Sequence, residues 1–363
     1  MKRFRFYAIL IAMVTFVACS DDDVENIDKD KEPEFAGYWI LSEGYSGQEN
    51  SELAWYDVTK NEVAKKQFTV INGKPLGDTA NELKLYGSKM YVVVTGGGFT
   101  AETSNDNSYI EVINPIDGKS IKRIPFGNED GTPAKPRRII FEGGYGYISS
   151  YSNEVVRLDT ATLTLDKHAV LSGILAEGLT FNSGNIYVCN GGQGEDNKIS
   201  VVDIETMKET DVIVTAKNPN KIVSVSNSDI YFNTDYPDYK LYKLIINKEN
   251  SPKITEVPEI SVADMTYINN NIYASFSDWE ASAGEINQIS TKTATSTKFN
   301  LDYESVNMSA MKEYHIGTIN GSDKLYVTGT DEEVVIFDPA TKEIKHAFKT
   351  GTPGGNSVVA VYK

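Results

Sequence analysis

The sequence predicts an all-β fold: a seven-bladed β-propeller of four-stranded blades, its ring closed by pairing the C-terminal strand with the N-terminal blade. Three observations carry this. A phrase made of a short alternating strand, a polar turn and a second strand of the form (I/L/M)Y(V/I/F/A) recurs along the chain. Its copies lie roughly 40 to 55 residues apart, near the length of a four-stranded blade. Each end of the chain also carries part of one further blade.

The copies are "LKLYGSKMYVVV" from Leu83, "RIIFEGGYGYISS" from Arg138, "LTFNSGNIYVCN" from Leu179, "IVSVSNSDIYFN" from Ile222, "MTYINNNIYASF" from Met265 and "GTINGSDKLYVTG" from Gly317. Each reads as the first two strands of a blade. Third and fourth strands follow in hairpins such as "YIEVINPIDGKSIKRIPF", "VVRLDTATLTLDKHAVL", "ISVVDIETMKETDVIV" and "EVVIFDPATKEIKHAF". In their "D-x-x-T" and "NPIDG" turns the Asp or Asn is expected to accept from backbone N–H groups ahead of it. At the start, "GYWILSEG" from Gly37, "SELAWYDV" from Ser51 and "EVAKKQFTV" from Glu62 read as second, third and fourth strands with no first strand before them. "NSVVAVYK", Asn356 to Lys363, reads as the missing first strand. Pairing the two ends leaves no open sheet edge. No helical period stands out.

The domain boundaries follow from what precedes Phe35. Lys2, Arg3 and Arg5 form a basic n-region, and the apolar run Phe6 to Ala18 is too short to cross a bilayer core of ~30 Å as a helix. Residues 1–18 therefore read as an export signal. Residues 19–34 are charged and nearly free of aromatics, as expected of a flexible acidic tether, and 35–363 form the propeller.

Composition excludes several partner classes. The formal net charge is −16, and three positive residues go with the signal. An acidic surface without a basic cluster is a poor match for nucleic acid or a bare anionic membrane. The chain has two cysteines, Cys19 and Cys189, so with Cys19 at the signal boundary no disulfide or thiolate cluster can form. Cys189, after "NIYV", reads as a small packing residue in a strand.

In such a blade, the loops from second to third strand and from fourth strand to the next blade emerge on one face. The long segments belong to those two sets: among them "YSGQEN" at 45, "TGGGFTAETSNDN" at 95, "NGGQGEDN" at 190, "NTDYPDY" at 233 and "SDWEASAG" at 277. That face is the expected functional surface. First-strand starts should ring the central funnel with Asn81, Arg138, Glu177, Lys221, Asp264, His315 and Asn356, a polar set mixed in sign. Of the three histidines, His168 and His346 fall in outer strands, and only His315 faces the funnel in this reading. The Gly-rich loops lead into no helix that would cradle phosphate, and no serine nucleophile elbow is present. Loops rich in Tyr and Asn with no nucleophile–base pair point to binding rather than catalysis.

Two stretches resemble a known family. "ACSDDD", residues 18–23, is similar to a bacterial lipobox cysteine followed by the acidic signal that sends lipoproteins to the cell exterior; Phe16 departs from the usual aliphatic residue. The opening "WILSEGYSGQENSELAWYD" resembles the start of the YncE-like seven-bladed propeller surface lipoproteins of gut Gram-negative bacteria. The resemblance covers Phe35 to Lys363. It implies lipidation at Cys19 and an outer-membrane location facing outward. It further implies capture of cobalamin and related corrinoids for a TonB-dependent outer-membrane transporter of the BtuB type, with no cofactor or metal of the protein's own.

A corrin is a broad apolar ring rimmed by amides. On that reading Tyr45, Phe99, Tyr151, Tyr236, Tyr239 and Trp279 supply flat contacts, while Arg137, Arg138, Asn190, Asn218 and Asn356 bond the rim or phosphate. Two other classes stay open. One is a glycan-binding or adhesion propeller using the same aromatics. The other is a lactonase-like hydrolase with an axial calcium, for which Glu177 and Asp264 are the conceivable oxygen ligands.

Overall fold

A computed structural model describes residues 34–97, 108–127, 134–247, 251–277, 283–308 and 311–363. The signal, Cys19, nearly all of the tether, Phe99 and Trp279 lie outside the described residues. Seven four-stranded antiparallel sheets form the ring. Blade 1 orders its strands Gly355–Tyr362, Phe35–Ser42, Glu52–Asp57 and Glu62–Ala64, so the last strand of the chain is the innermost strand of the first blade. Blades 2 to 7 begin with the inner strands Ala80–Tyr86, Pro136–Glu142, Ala176–Asn182, Pro219–Ser224, Asp264–Ile268 and Glu313–Thr318. The ring closes where the sequence places it.

The period of two along each strand explains the packing, because alternate side chains leave opposite faces of a blade. In the second strand of blade 2, Met90, Val92 and Val94 pack toward blade 1 with Trp39 and Leu41. Tyr91 and Val93 pack the other way, with Ile139 and Ile148 of blade 3. Blades are thus held by apolar cores between neighbouring sheets. Cys189 belongs to one of these cores and is fully buried. Burial pushes its thiol pKa well up, which suits an inert packing residue.

The outer turns are built as their sequence suggests. Asp159 accepts from the N–H groups of Ala161 and Thr162 at 2.8 and 2.9 Å, Asp338 from Ala340 and Thr341 at 2.8 and 3.2 Å, and Asn114 from Ile116 at 2.9 Å. These bonds hold the Asp159 and Asp338 carboxyls below the usual carboxylate range.

One expectation fails at the end of blade 1. The stretch "EVAKKQFTV" gives a strand of three residues only, Glu62–Ala64, followed by a short helix, α1, over Gln67–Asn72. The helix lets Phe68 drop completely into the core between blades 1 and 2. It also brings the Thr69 N–H within 3.2 Å of the Glu52 carboxylate, which accepts from the Thr69 hydroxyl as well. These are tertiary contacts, and they override a local pattern that fits a strand.

The inner strands carry a second feature. In six blades the pairing with the second strand slips near the start of the inner strand. The extra residues fall at Asn81, at Arg137 and Arg138, at Glu177 and Gly178, at Asn220 and Lys221, at Tyr314 and at Asn356. Such bulges re-aim side chains, and here they gather polar residues at the mouth of the channel. Opposite them, Ser149, Asn233 and Thr328 reach the next blade, donating to Glu177 O at 2.6 Å, Val262 O at 2.8 Å and Gly355 O at 2.6 Å.

Gly178 sits in one bulge with room for no side chain: a Cβ there would lie 2.3 Å from the Asn220 carbonyl oxygen of the next blade. Gly178→Ala is therefore expected to lower stability by about 1–3 kcal/mol through overpacking. A thermal melt of the variant checks this; an unchanged midpoint would refute it.

Candidate functional site

The channel mouth is held by two buried polar clusters. In the first, the Arg137 guanidinium donates from Nε to Glu177 at 3.2 Å and to Asn81 Oδ1 at 2.9 Å. It also lies over the Tyr151 ring, 4.6 Å from its centroid, while the Tyr151 hydroxyl donates to the other Glu177 oxygen. Burial works against the Glu177 charge, but Arg137, Arg138 and the Tyr151 hydroxyl hold its pKa below the ordinary value. Burial and the Glu177 charge push the Tyr151 phenol up.

In the second cluster, Asp264 pairs with Lys221 at 3.2 Å and with His315 Nδ1 at 2.7 Å. His315 Nε2 lies 3.3 Å from Asn356 Nδ2, and the same amide nitrogen donates to Glu43 at 3.2 Å. Burial opposes the Asp264 charge too, yet Lys221 and His315 outweigh it and hold its carboxyl well below the usual range. The Lys221 ammonium is driven down by burial and by the Arg138 charge, against the pull of Asp264. Glu177 and Asp264 thus belong to separate ion-pair clusters and are both taken by cations. Among the described residues, no group of three His, Cys, Asp or Glu side chains converges to hold a metal ion.

The long-loop face lies outside these clusters. Among the described residues, three large apolar side chains stand out from it: Tyr45 at 54%, Ile174 at 41% and Tyr236 at 71% exposure. All three sit on connections of the two sets that emerge on this face. Each is pinned from behind. Asp196 accepts from the Ile174 N–H at 2.7 Å and Asp235 from that of Tyr236 at 2.8 Å. The Tyr45 loop is tied by Asn50, which accepts from the Tyr45 N–H at 2.8 Å, and by Asp78, which accepts from the Gly47 N–H at 2.7 Å. Tyr239 backs Tyr236, with ring centroids 6.4 Å apart, and packs edge-on against Phe276 at 5.2 Å.

The residues singled out from sequence therefore separate into groups. Tyr45, Tyr236 and Tyr239 share the loop face. Arg137, Tyr151 and Asn356 belong to the polar clusters at the channel mouth, and Arg138 and Asn356 line the cavity. Asn190 is fully buried inside blade 4, its amide donating to Ser200 at 2.8 Å, and the Asn218 amide donates to the Tyr236 carbonyl at 2.9 Å. Ile174 is missed by sequence reading, as are the aspartates that fix the loops. An apolar residue directly after Ser-Gly in the interblade stretch "LSGIL" is the signal that could have found it.

No protein-family model matches the chain, and neither does any curated protein. Among solved structures it is similar to the hydrazine synthase of Kuenenia stuttgartiensis, with 14% identity over 76% of this chain and 93% of that one and a TM-score of 0.58. A proposed 6-phosphogluconolactonase from Bacteroides fragilis is similar at 12% identity, covering 94% of this chain and all of the other, with a TM-score of 0.58. The computationally designed protein Ika8 is similar at 10% identity over 92% of each chain, with a TM-score of 0.54. What they share is the propeller. At these identities the likeness extends to fold alone.

Proposed function

We propose that this protein captures cobalamin and related corrinoids at the cell surface, anchored through lipid on Cys19, and delivers them to a TonB-dependent outer-membrane transporter of the BtuB type. The reading rests on the likeness of its opening to BtuG-type surface lipoproteins and on one structural observation. Tyr45, Ile174 and Tyr236 are exposed, and they stand on loops already fixed by carboxylate or amide bonds to the backbone. Apolar groups held in place before binding lose little entropy when a ligand arrives. Carried by blades 1 and 5 and by the connection between blades 3 and 4, they suit a broad flat ligand with a polar rim better than a narrow one. Below them the mouth is lined by neutralised ion pairs, which favours a receptor surface over a reaction pocket.

The test is calorimetric titration of the unit Glu34–Lys363, which is compact in itself, with cyanocobalamin and with cobinamide. Saturable binding is expected, with Tyr45→Ala and Tyr236→Ala each weakening it by about tenfold. Binding of oligosaccharides with no response to either corrinoid would replace this reading with the glycan-binding one.

A further inference from the structure

The inner strands enclose a cavity of about 260 Å³. Exposure along its walls shows which way it opens. Near the loop face Asp264 and His315 are buried; toward the other ends of the inner strands Lys84 is 50% exposed and Thr318 is exposed. The cavity is entered from the face of tight turns, opposite the long loops.

Its charges do not cancel. Both carboxylates on the wall are taken: Glu82 by Lys84 at 3.2 Å and by the Ile139 N–H at 2.6 Å, and Asp264 by Lys221 and His315. Arg138 is different. It donates from Nη1 to the Asn81 carbonyl and, among the described residues, pairs with no carboxylate. Lys221, close enough for the Arg138 charge to depress its pKa, uses one contact, to Asp264. A guanidinium on a cavity wall with no carboxylate partner among the described residues is suited to pairing with a planar anion. Thr180, Thr266 and Thr318 add hydroxyls nearer the opening.

We propose that the cavity is a binding site for a small hydroxy carboxylate, its carboxylate held by Arg138 and Lys221 and its hydroxyls directed to the threonines. At about 260 Å³ the cavity has room for a small metabolite. The site is independent of the loop face, so failure of the corrinoid titration leaves it untouched.

The experiment is titration of Glu34–Lys363 with gluconate and with malate, using sorbitol as the neutral match, and thermal melts in the same ligands. At least one carboxylate is expected to bind and to raise the melting temperature, and sorbitol to do neither. Arg138→Gln is expected to weaken binding by about tenfold or more, as loss of a charge-assisted pair does. Lys84→Gln, at the exposed rim, is expected to weaken it a few-fold and serves if the Arg138 variant does not fold. Absence of binding by both carboxylates at millimolar concentration, equal binding of sorbitol, or unchanged affinity in a folded Arg138→Gln protein would overturn the proposal; so would unchanged affinity in Lys84→Gln where Arg138→Gln does not fold.

Discussion

Removal of Gly355–Lys363 is expected to prevent formation of a stable monomeric ring. The strand Gly355–Tyr362 is the inner strand of blade 1, and its two faces serve two different cores. Val359 and Val361 pack with Trp39 and Leu41, while Val358 and Ala360 pack with Tyr38, Ile40 and Tyr326. Full burial of the three valines alone contributes roughly 5–9 kcal/mol at about 1.5–3 each, which is comparable with the whole stability of a typical domain at about 5–15 kcal/mol. Truncation would also free the edge of Phe35–Ser42, an apolar strand with unpaired N–H and C=O groups that invites association. Size-exclusion chromatography and circular dichroism of the truncated chain should show aggregates or loss of the cooperative melt. Val359→Asp should reproduce much of the effect by placing an unpaired charge in that core. A truncated protein that stays monomeric and melts near the full chain would show that closure is not what stabilises the ring.

That closure was legible because the chain splits one blade between its two ends, leaving three strands at one and a single strand at the other. The blade count was legible for a related reason: strands buried on both faces and separated by Asp-anchored turns repeat with little variation. Side-chain roles at the mouth were less legible. Arg137 and Arg138 are adjacent in sequence, yet the bulge between blade 3's first two strands sends one into an ion pair with Glu177 and the other to the cavity. No property of the dipeptide distinguishes them. Tyr151 shows the same limit, since a loop tyrosine reads as a ligand contact until Arg137 is found stacked on its ring and Glu177 bonded to its hydroxyl. The helix α1 escaped notice because its reasons, the Phe68 pocket and the Glu52 carboxylate, lie in other strands.

The ion pairs at the mouth give the second large effect. Glu177→Ala would leave the Arg137 guanidinium buried beside Asn81 and Tyr151 with no counter-charge, and removing one partner of a buried pair is destabilising by about 3–5 kcal/mol. The same groups fix how stability responds to acid. The pKa values of Glu177 and Asp264 are both lower in the folded protein than their ordinary values. Each therefore contributes stability that is present above its unfolded-state pKa, about 3.9 to 4.3 for free carboxylates, and is lost as pH falls from there through the depressed folded value. The intact protein should hold a steady melting temperature above that range and lose it steeply below. Glu177→Gln keeps a hydrogen-bonding amide but removes the charge, so it should be less stable at neutral pH and lose less than the intact protein on acidification. Melts from neutral pH down to about pH 3 decide the matter: parallel curves for the two proteins would mean that Glu177 is not ionised against Arg137, and the mouth of the channel would then be held by packing rather than by charge.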